Sequence, residues 1–191
     1  PRSSLRGAWV AVALGLGLVA GVWLLAPERA HFDPRPFVAA GARYDVRILR
    51  DGFGVPHVYG ATDPDGAYGL AYAHSEDDCA TIQEVVLLAR GELARVKGAS
   101  AAPLDYVMRW MGAREVVEER YAAELPPDVR ALAEAYADGL NHYAALHPRE
   151  TWPGVVPVTG RDIVAGFATR MPLFYGLQTT IAEVFGEQRR H

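Results

Sequence analysis

Four histidines, His57, His74, His142 and His147, and an acidic run, Glu76-Asp77-Asp78, are the side chains in this sequence best equipped for chemistry. No two of the histidines stand at metal-ligand spacing with each other or with a carboxylate in a recognisable pattern. His74 with the acidic run makes the one dense polar cluster. Consecutive polar residues on a helix point around more than half its circumference, whereas a metal needs ligands converging on one point. The cluster therefore reads as a polar helix face or cap whose carboxylates pair with arginines, and no metal site is expected. A hydroxyl nucleophile needs an activating base and oxyanion donors. The sequence has no G-x-S-x-G elbow and no S-x-x-K; Ser75, Ser100 and the leader serines lack such context, and Thr179-Thr180 has no identifiable base beside it. Cys79 is the single cysteine, which excludes an internal disulfide and a cysteine zinc site. In an alanine-rich run it reads as a small buried hydrophobe. Gly52-Phe53-Gly54 lacks the third glycine and the following helix of a dinucleotide motif, so it is a turn. No catalytic set emerges from these residues.

Composition narrows the rest. The 191 residues are half hydrophobic and 22% charged, with a net charge of -4. That suffices for one domain of about 150 residues once a targeting segment is set aside. Lys97 is the only lysine and there is no basic cluster, so nucleic acid is not an expected partner.

Arg2 and Arg6 precede an unbroken apolar run from Gly7 to Ala26, with Trp9 and Trp23 near its ends. Twenty residues at about 1.5 Å rise span about 30 Å, the hydrocarbon thickness of a bilayer. The charge bias places the N-terminus in the cytoplasm and the remainder outside it. Residues 1–30 are thus expected to be a signal anchor, with a cleaved signal peptide as the rival reading. The anchor reading is preferred because small-x-small sites after the run are poor. The stretch 31–43, proline-bearing and without periodicity, reads as a linker.

The elements that follow must position whatever chemistry exists. Tyr44, Val46 and Ile48 alternate with Asp45 and Arg47, a period-two strand. Asp51-Gly52 predicts a positive-φ turn, and Val55 to Tyr59 returns as a second strand with Pro56 at an edge or start. Thr62-Asp63-Pro64-Asp65 opens a helix by capping chemistry. Its first half, Ala67 to Ala80, is built of small residues and must pack closely. From Asp77 to Arg90 the apolar positions Ile82, Val85, Val86 and Ala89 form a stripe. Further helices are expected over 104–111, 114–123 and 128–146, the last with Val129, Leu132, Tyr136, Leu140 and Tyr143 on one face. A final helix opens at Thr159 or Arg161-Asp162 and runs to about Arg170. A lone hairpin is marginal in water with both edges free, which favours a sheet completed by further chain.

The string from Tyr44 to Tyr59 resembles the opening of the mature α-segment of the penicillin acylase family: a strand, then Arg-Asp-x-x-Gly-x-Pro-His. Tyr68-Gly-Leu-Ala-Tyr-Ala-His-Ser-Glu-Asp-Asp78, Ala89-Arg-Gly-Glu-Leu-Ala94 with Gly98, and Tyr136-Ala-Asp-Gly-Leu-Asn141 are similar to three further family elements in the same order. The resemblance implies an α+β chain, mostly helical with a β-hairpin, forming the N-terminal part of a four-layer αββα N-terminal nucleophile hydrolase. It implies an exported precursor that cleaves itself, with residues 44–191 as the α-segment and a downstream β-segment as heterodimer partner. The nucleophile, an N-terminal serine using its own α-amine as base, would then lie beyond His191. The substrate would be a small acylated amide: an N-acyl homoserine lactone, a β-lactam or an acylated lipopeptide. The family's acyl-pocket helix corresponds to Ala165–Tyr175, which makes Met171, Phe174 and Tyr175 the substrate-binding candidates. Some members hold a structural calcium with a glutamate slightly further on. The same count reaches Ile181 here, with Glu183 two residues away, so the calcium pattern is broken and no cofactor is expected. With the apolar run at 7–26 read as an anchor, the expected location is periplasmic or extracytoplasmic, anchored to the inner membrane. A membrane-anchored interaction domain without catalysis is the alternative from another class, and a plain helical periplasmic domain a third.

Overall fold

In the computed structural model the described residues are 32–176, 179–180 and 183. Helix α1 (Arg35–Gly41) leads into a hairpin of β1 (Val46–Arg50) and β2 (Pro56–Gly60), followed by α2 (Asp63–Ala89). A short α3 (Ala94–Lys97), a 3-10 turn and α4 (Ala102–Met111) lead to α5 (Ala113–Glu124), α6 (Pro127–Leu146) and α7 (Gly160–Phe174). The described residues are mostly helical with one small antiparallel sheet, the α+β class expected from the sequence. No helix among the described residues is long and apolar enough to cross a membrane, and the run 7–26 lies outside them.

The stretch read as a linker carries α1 instead. Its Pro36 falls in the first helical turn, where no backbone N–H is needed for an intrahelical bond, so proline there starts a helix rather than preventing one. α1 closes onto α6: a β-carbon on Gly41 would lie 2.6 Å from the His142 ring.

The expected hairpin forms, with Ile48 opposite Val58 and Arg50 opposite Pro56, the first residue of β2. Its turn differs in one detail. The positive φ sits at Gly54 rather than Gly52, because the Asp51 carboxylate accepts from both Phe53 N at 2.9 Å and Val55 N at 3.0 Å and so organises the whole loop. Val46, Ile48 and Val58 turn towards α2, while Leu49, Val55 and Tyr59 remain exposed.

The helix start expected at Thr62 is there, and Thr62 and Asp65 close it as a reciprocal capping box at the start of α2. Asp65 also accepts from Asp45 N at 2.9 Å, tying the helix start to the strand that precedes it. At Asp78 the backbone leaves the helical region (φ -154°, ψ 66°), and its carboxylate accepts from Thr81 N at 3.1 Å. Asp78 thereby caps the second half of α2. The two sequence segments, small-residue and striped, are the two sides of this break.

The α2–α6 crossing forms the centre of the core. Ala71, Val86, Leu87, Ala137 and Leu140 meet Leu93, Val155 and Val158 there, and Ala89, Val117, Tyr121 and Ala165 make a second cluster beneath α7. A β-carbon on Gly139 would run into Tyr68 O and Ala71 Cβ, so glycine sets how closely the two helices approach. This corrects the expected face of α6. Leu140 and Tyr143 are buried as predicted, but Val129 is exposed, Leu132 and Tyr136 are half-buried, and Ala133, Ala135 and Ala137 are buried deeper than either. Helices in near-contact bury small residues on both flanks, which a count of large apolar residues overlooks.

Candidate functional site

The acidic run pairs with arginine, as expected. Arg50 reaches Glu76 Oε2 and Asp77 Oδ1, each at 2.8 Å, and no group of three potential ligands gathers for a metal among the described residues. His74 instead meets the Tyr136 hydroxyl at 2.9 Å. The calcium position, Ile181, lies outside the described residues, and Glu183 is exposed.

Two buried hydroxyls are spent on structure. Ser75 donates to Ala71 O at 2.9 Å and Thr169 to Ala165 O at 2.9 Å, both buried back-bonds within a helix. Cys79 is half-buried rather than fully buried, and its burial pushes the thiol up to about 11, so it is protonated at neutral pH. The Tyr68 hydroxyl faces His142 Nδ1. Burial, with the charges of Tyr72 and Asp138, pushes Tyr68 up to about 12, and burial holds the His142 imidazole below its ordinary value. The pair is a neutral hydrogen bond under α1.

The sequence-predicted substrate residues sit at the far end of α7. Phe167, Met171 and Phe174 recur at four and three residues on one face and are 74%, 54% and 81% exposed. Tyr175, just past the helix, is 78% exposed and packs edge-on against Phe174 at 5.7 Å. The opposite face of α7, with Asp162, Ala165 and Thr169, is buried. The helix runs four residues past the expected end at Arg170, through Pro172. The structure thus brings Met171, Phe174 and Tyr175 together as an apolar wall open to solvent.

The beginning of α7 is held in a different way. Thr159 and Asp162 repeat the capping box of Thr62 and Asp65: Thr159 N donates to Asp162 Oδ2 at 2.9 Å, and Asp162 N to Thr159 Oγ1 at 3.4 Å. Arg90, the last residue before Gly91, meets both Asp162 oxygens at 2.8 Å and also donates to the carbonyls of Gly154, Val155 and Pro157, each at 2.8 Å. Arg114 adds a bond to Asp162 Oδ1 at 3.0 Å. Burial alone would raise the Asp162 carboxyl, but the Arg90 guanidinium and the Thr159 donors outweigh it and hold it at about 2.

Two buried amides complete this clamp. Asn141 Nδ2 donates to Val158 O at 2.7 Å while its Oδ1 accepts from Val158 N at 2.8 Å. Gln83 Nε2 donates to Glu150 O at 2.9 Å while its Oε1 accepts from Trp152 N at 2.6 Å. Asp105 acts similarly on α3, accepting from Leu93 N at 2.8 Å and Ala94 N at 2.7 Å. The motif matches contain Arg90 and Asn141, yet spacing alone assigns neither a role. The available signal was an uncompensated polar residue inside an apolar stripe: Gln83 beside Ile82 and Val86, Asn141 beside Leu140 and Tyr143.

Comparison with known proteins places this arrangement. The penicillin amidase family model matches residues 45–180. The chain is 32% identical over 108 residues to the acyl-homoserine lactone acylase PvdQ of Pseudomonas savastanoi pv. phaseolicola, a match covering 52% of this chain and 14% of that protein. It is 32% identical over 103 residues to the acyl-homoserine lactone acylase QuiP of Pseudomonas fluorescens, covering 54% of this chain and 13% of the relative. The matched part is thus a small fraction of these relatives' length. Among solved structures, a chain of the thermostable penicillin G acylase from Alcaligenes faecalis shares the fold with a TM-score of 0.60 at 24% identity, over 78% of this chain and 85% of that one. With the family model spanning the hairpin, the helical core, the clamp and the apolar wall, the chain belongs to the penicillin amidase family.

Proposed function

We propose that this chain is the scaffold segment of an exported acylase precursor that hydrolyses a side-chain amide. The observation that carries this reading is the division of α7 into a clamped start and an exposed apolar end, within a chain of the penicillin amidase family. An exposed wall of Phe167, Met171, Phe174 and Tyr175 is costly in water, since each large apolar side chain left unburied forgoes about 1.5–3 kcal/mol. Covered by a partner segment, the same wall becomes one side of a pocket for an acyl chain. Among the described residues the hydroxyl–imidazole pairs are tyrosines, Tyr68 with His142 and Tyr136 with His74, and burial keeps the Cys79 thiol protonated, which favours a nucleophile on the partner. The partner is a β-segment of the same precursor, released by self-cleavage, whose N-terminal nucleophile attacks the amide carbonyl. Its strands extend the two-stranded hairpin into the sheets of a four-layer αββα hydrolase. N-acyl homoserine lactones are the preferred substrate class, with β-lactams and acylated lipopeptides next, because the named relatives include homoserine lactone acylases. Export through residues 1–30 puts the enzyme in the periplasm, anchored at 7–26.

The test is expression of the full precursor with its leader, followed by intact-mass and N-terminal sequencing and assay on acyl homoserine lactones of graded length and on penicillin G. Two chains and release of free acid are expected. A single uncleaved chain that releases no acid from any amide would refute the acylase reading and leave an interaction domain.

A further inference from the structure

We propose that Gln83, Arg90 and Asn141 are positioning residues for acyl-chain length: by fixing the connector 150–159 they set the direction of α7 and hence the depth of the pocket wall. The proposal rests on the acylase reading above.

The connector has no regular secondary structure between α6 and α7 except a few turns, and it contains Pro153, Gly154 and Pro157. Such a segment ordinarily lies at the surface, solvated and variable in path. Here it is tethered at Glu150, Trp152, Gly154, Val155, Pro157 and Val158 by three side chains from two other helices. Gln83 and Asn141 are buried, and each uses its amide in both directions on the connector backbone. Thr151 is buried as well and bonds back to Ala144 O and His147 O. Val155 and Val158 are core residues packed against Leu87 and Leu140. The path is therefore fixed from both its polar and its apolar side, up to two residues before α7 begins.

α7 carries that direction outward. From Gly160 to Phe174 it extends about 20 Å at about 1.5 Å per residue. A rotation of about 10° at the clamp displaces the wall by roughly 3–4 Å, comparable to two or three methylene groups of an acyl chain. The three residues hold the connector and Asp162 rather than a wall side chain by their hydrogen bonds, so their effect on substrate passes through the helix. One methylene misfit in an apolar pocket changes selectivity by on the order of tenfold or more, so a small tilt is visible in the length profile.

The test compares Asn141→Leu and Gln83→Met, both close in volume to the native residue, with wild type in the processed full-length enzyme. The readouts are the kcat/KM ratio for hexanoyl against dodecanoyl homoserine lactone and hydrogen exchange across 160–174. The expected result is a shift of the ratio on the order of tenfold, carried mainly by KM, with faster exchange in α7. If Asn141→Leu does not accumulate, Gln83→Met gives the same reading, because it frees the connector only at Glu150 and Trp152 and keeps the Asn141 bonds to Val158. A ratio within twofold of wild type in a folded variant, whatever its stability, overturns the proposal. Wild-type enzyme inactive on every acyl length is a separate outcome, which removes the acylase reading and this inference with it.

Discussion

Arg90 and Asp162 stand 72 residues apart and meet in a two-pronged ion pair, Nε to Oδ1 and Nη2 to Oδ2, both at 2.8 Å. The Asp162 side chain is 2% exposed and the Arg90 side chain 11%. The pair joins the end of α2 to the start of α7. Its carboxylate also closes the capping box with Thr159, so one group terminates one element and begins another.

Removal of either charge leaves the other buried without its partner. Asp162→Ala is expected to destabilise the protein by about 3–5 kcal/mol, the usual cost of breaking a buried pair from one side. Urea unfolding followed by circular dichroism measures it; a loss below about 1 kcal/mol would show that solvent reaches the pair.

Acid stability follows from the same carboxyl. Its folded-state value, about 2, lies below that of an unfolded aspartate, so its contribution is fully present above about pH 4 and is lost as pH falls from there towards about 2. Asp162→Asn should unfold with a shallower pH dependence in that window, measured as the denaturation midpoint from pH 5 to pH 2. Parallel wild-type and variant curves would contradict the assignment.

The two capping boxes make matched tests. Thr62→Ala and Thr159→Ala should each lose about 1 kcal/mol, because each hydroxyl satisfies a helix-start N–H. Thr159→Ala should in addition raise hydrogen exchange at the start of α7, while Thr62→Ala leaves it unchanged.

Gly139 is the contact point between α2 and α6. Gly139→Val places three carbons where Tyr68 O and Ala71 already sit, and a loss of about 1–3 kcal/mol is expected from overpacking. A variant as stable as wild type would mean that the helices separate freely.

Cys79 should be a slow thiol. With its ionisation pushed up to about 11 by burial, alkylation by iodoacetamide at pH 7.5 is expected on the order of 100-fold slower than for an exposed cysteine, and faster only in denaturant. Rapid labelling of the native protein would restore it as a candidate nucleophile.

The features legible from residue spacing are local. The alternation from Tyr44 to Ile48, the Asp51 turn, the Thr62 cap and the small residues of α2 each act within a few positions along the chain, so spacing alone reveals them. The α1 helix escaped because prolines at 34 and 36 resemble a linker until one sees that Pro36 occupies a first turn. The family motifs were present in order, and Arg90 and Asn141 were among their residues, but a motif names positions without saying what they touch. Only the tertiary structure decided that Arg90 reaches Asp162, that Asn141 and Gln83 grip the connector, and that alanines rather than larger residues fill the α2–α6 crossing. The physical reason is that a hydrogen-bond partner 17 to 72 residues away is selected by burial: once the amide or guanidinium is removed from water, the partner it finds is whichever backbone the fold brings to it.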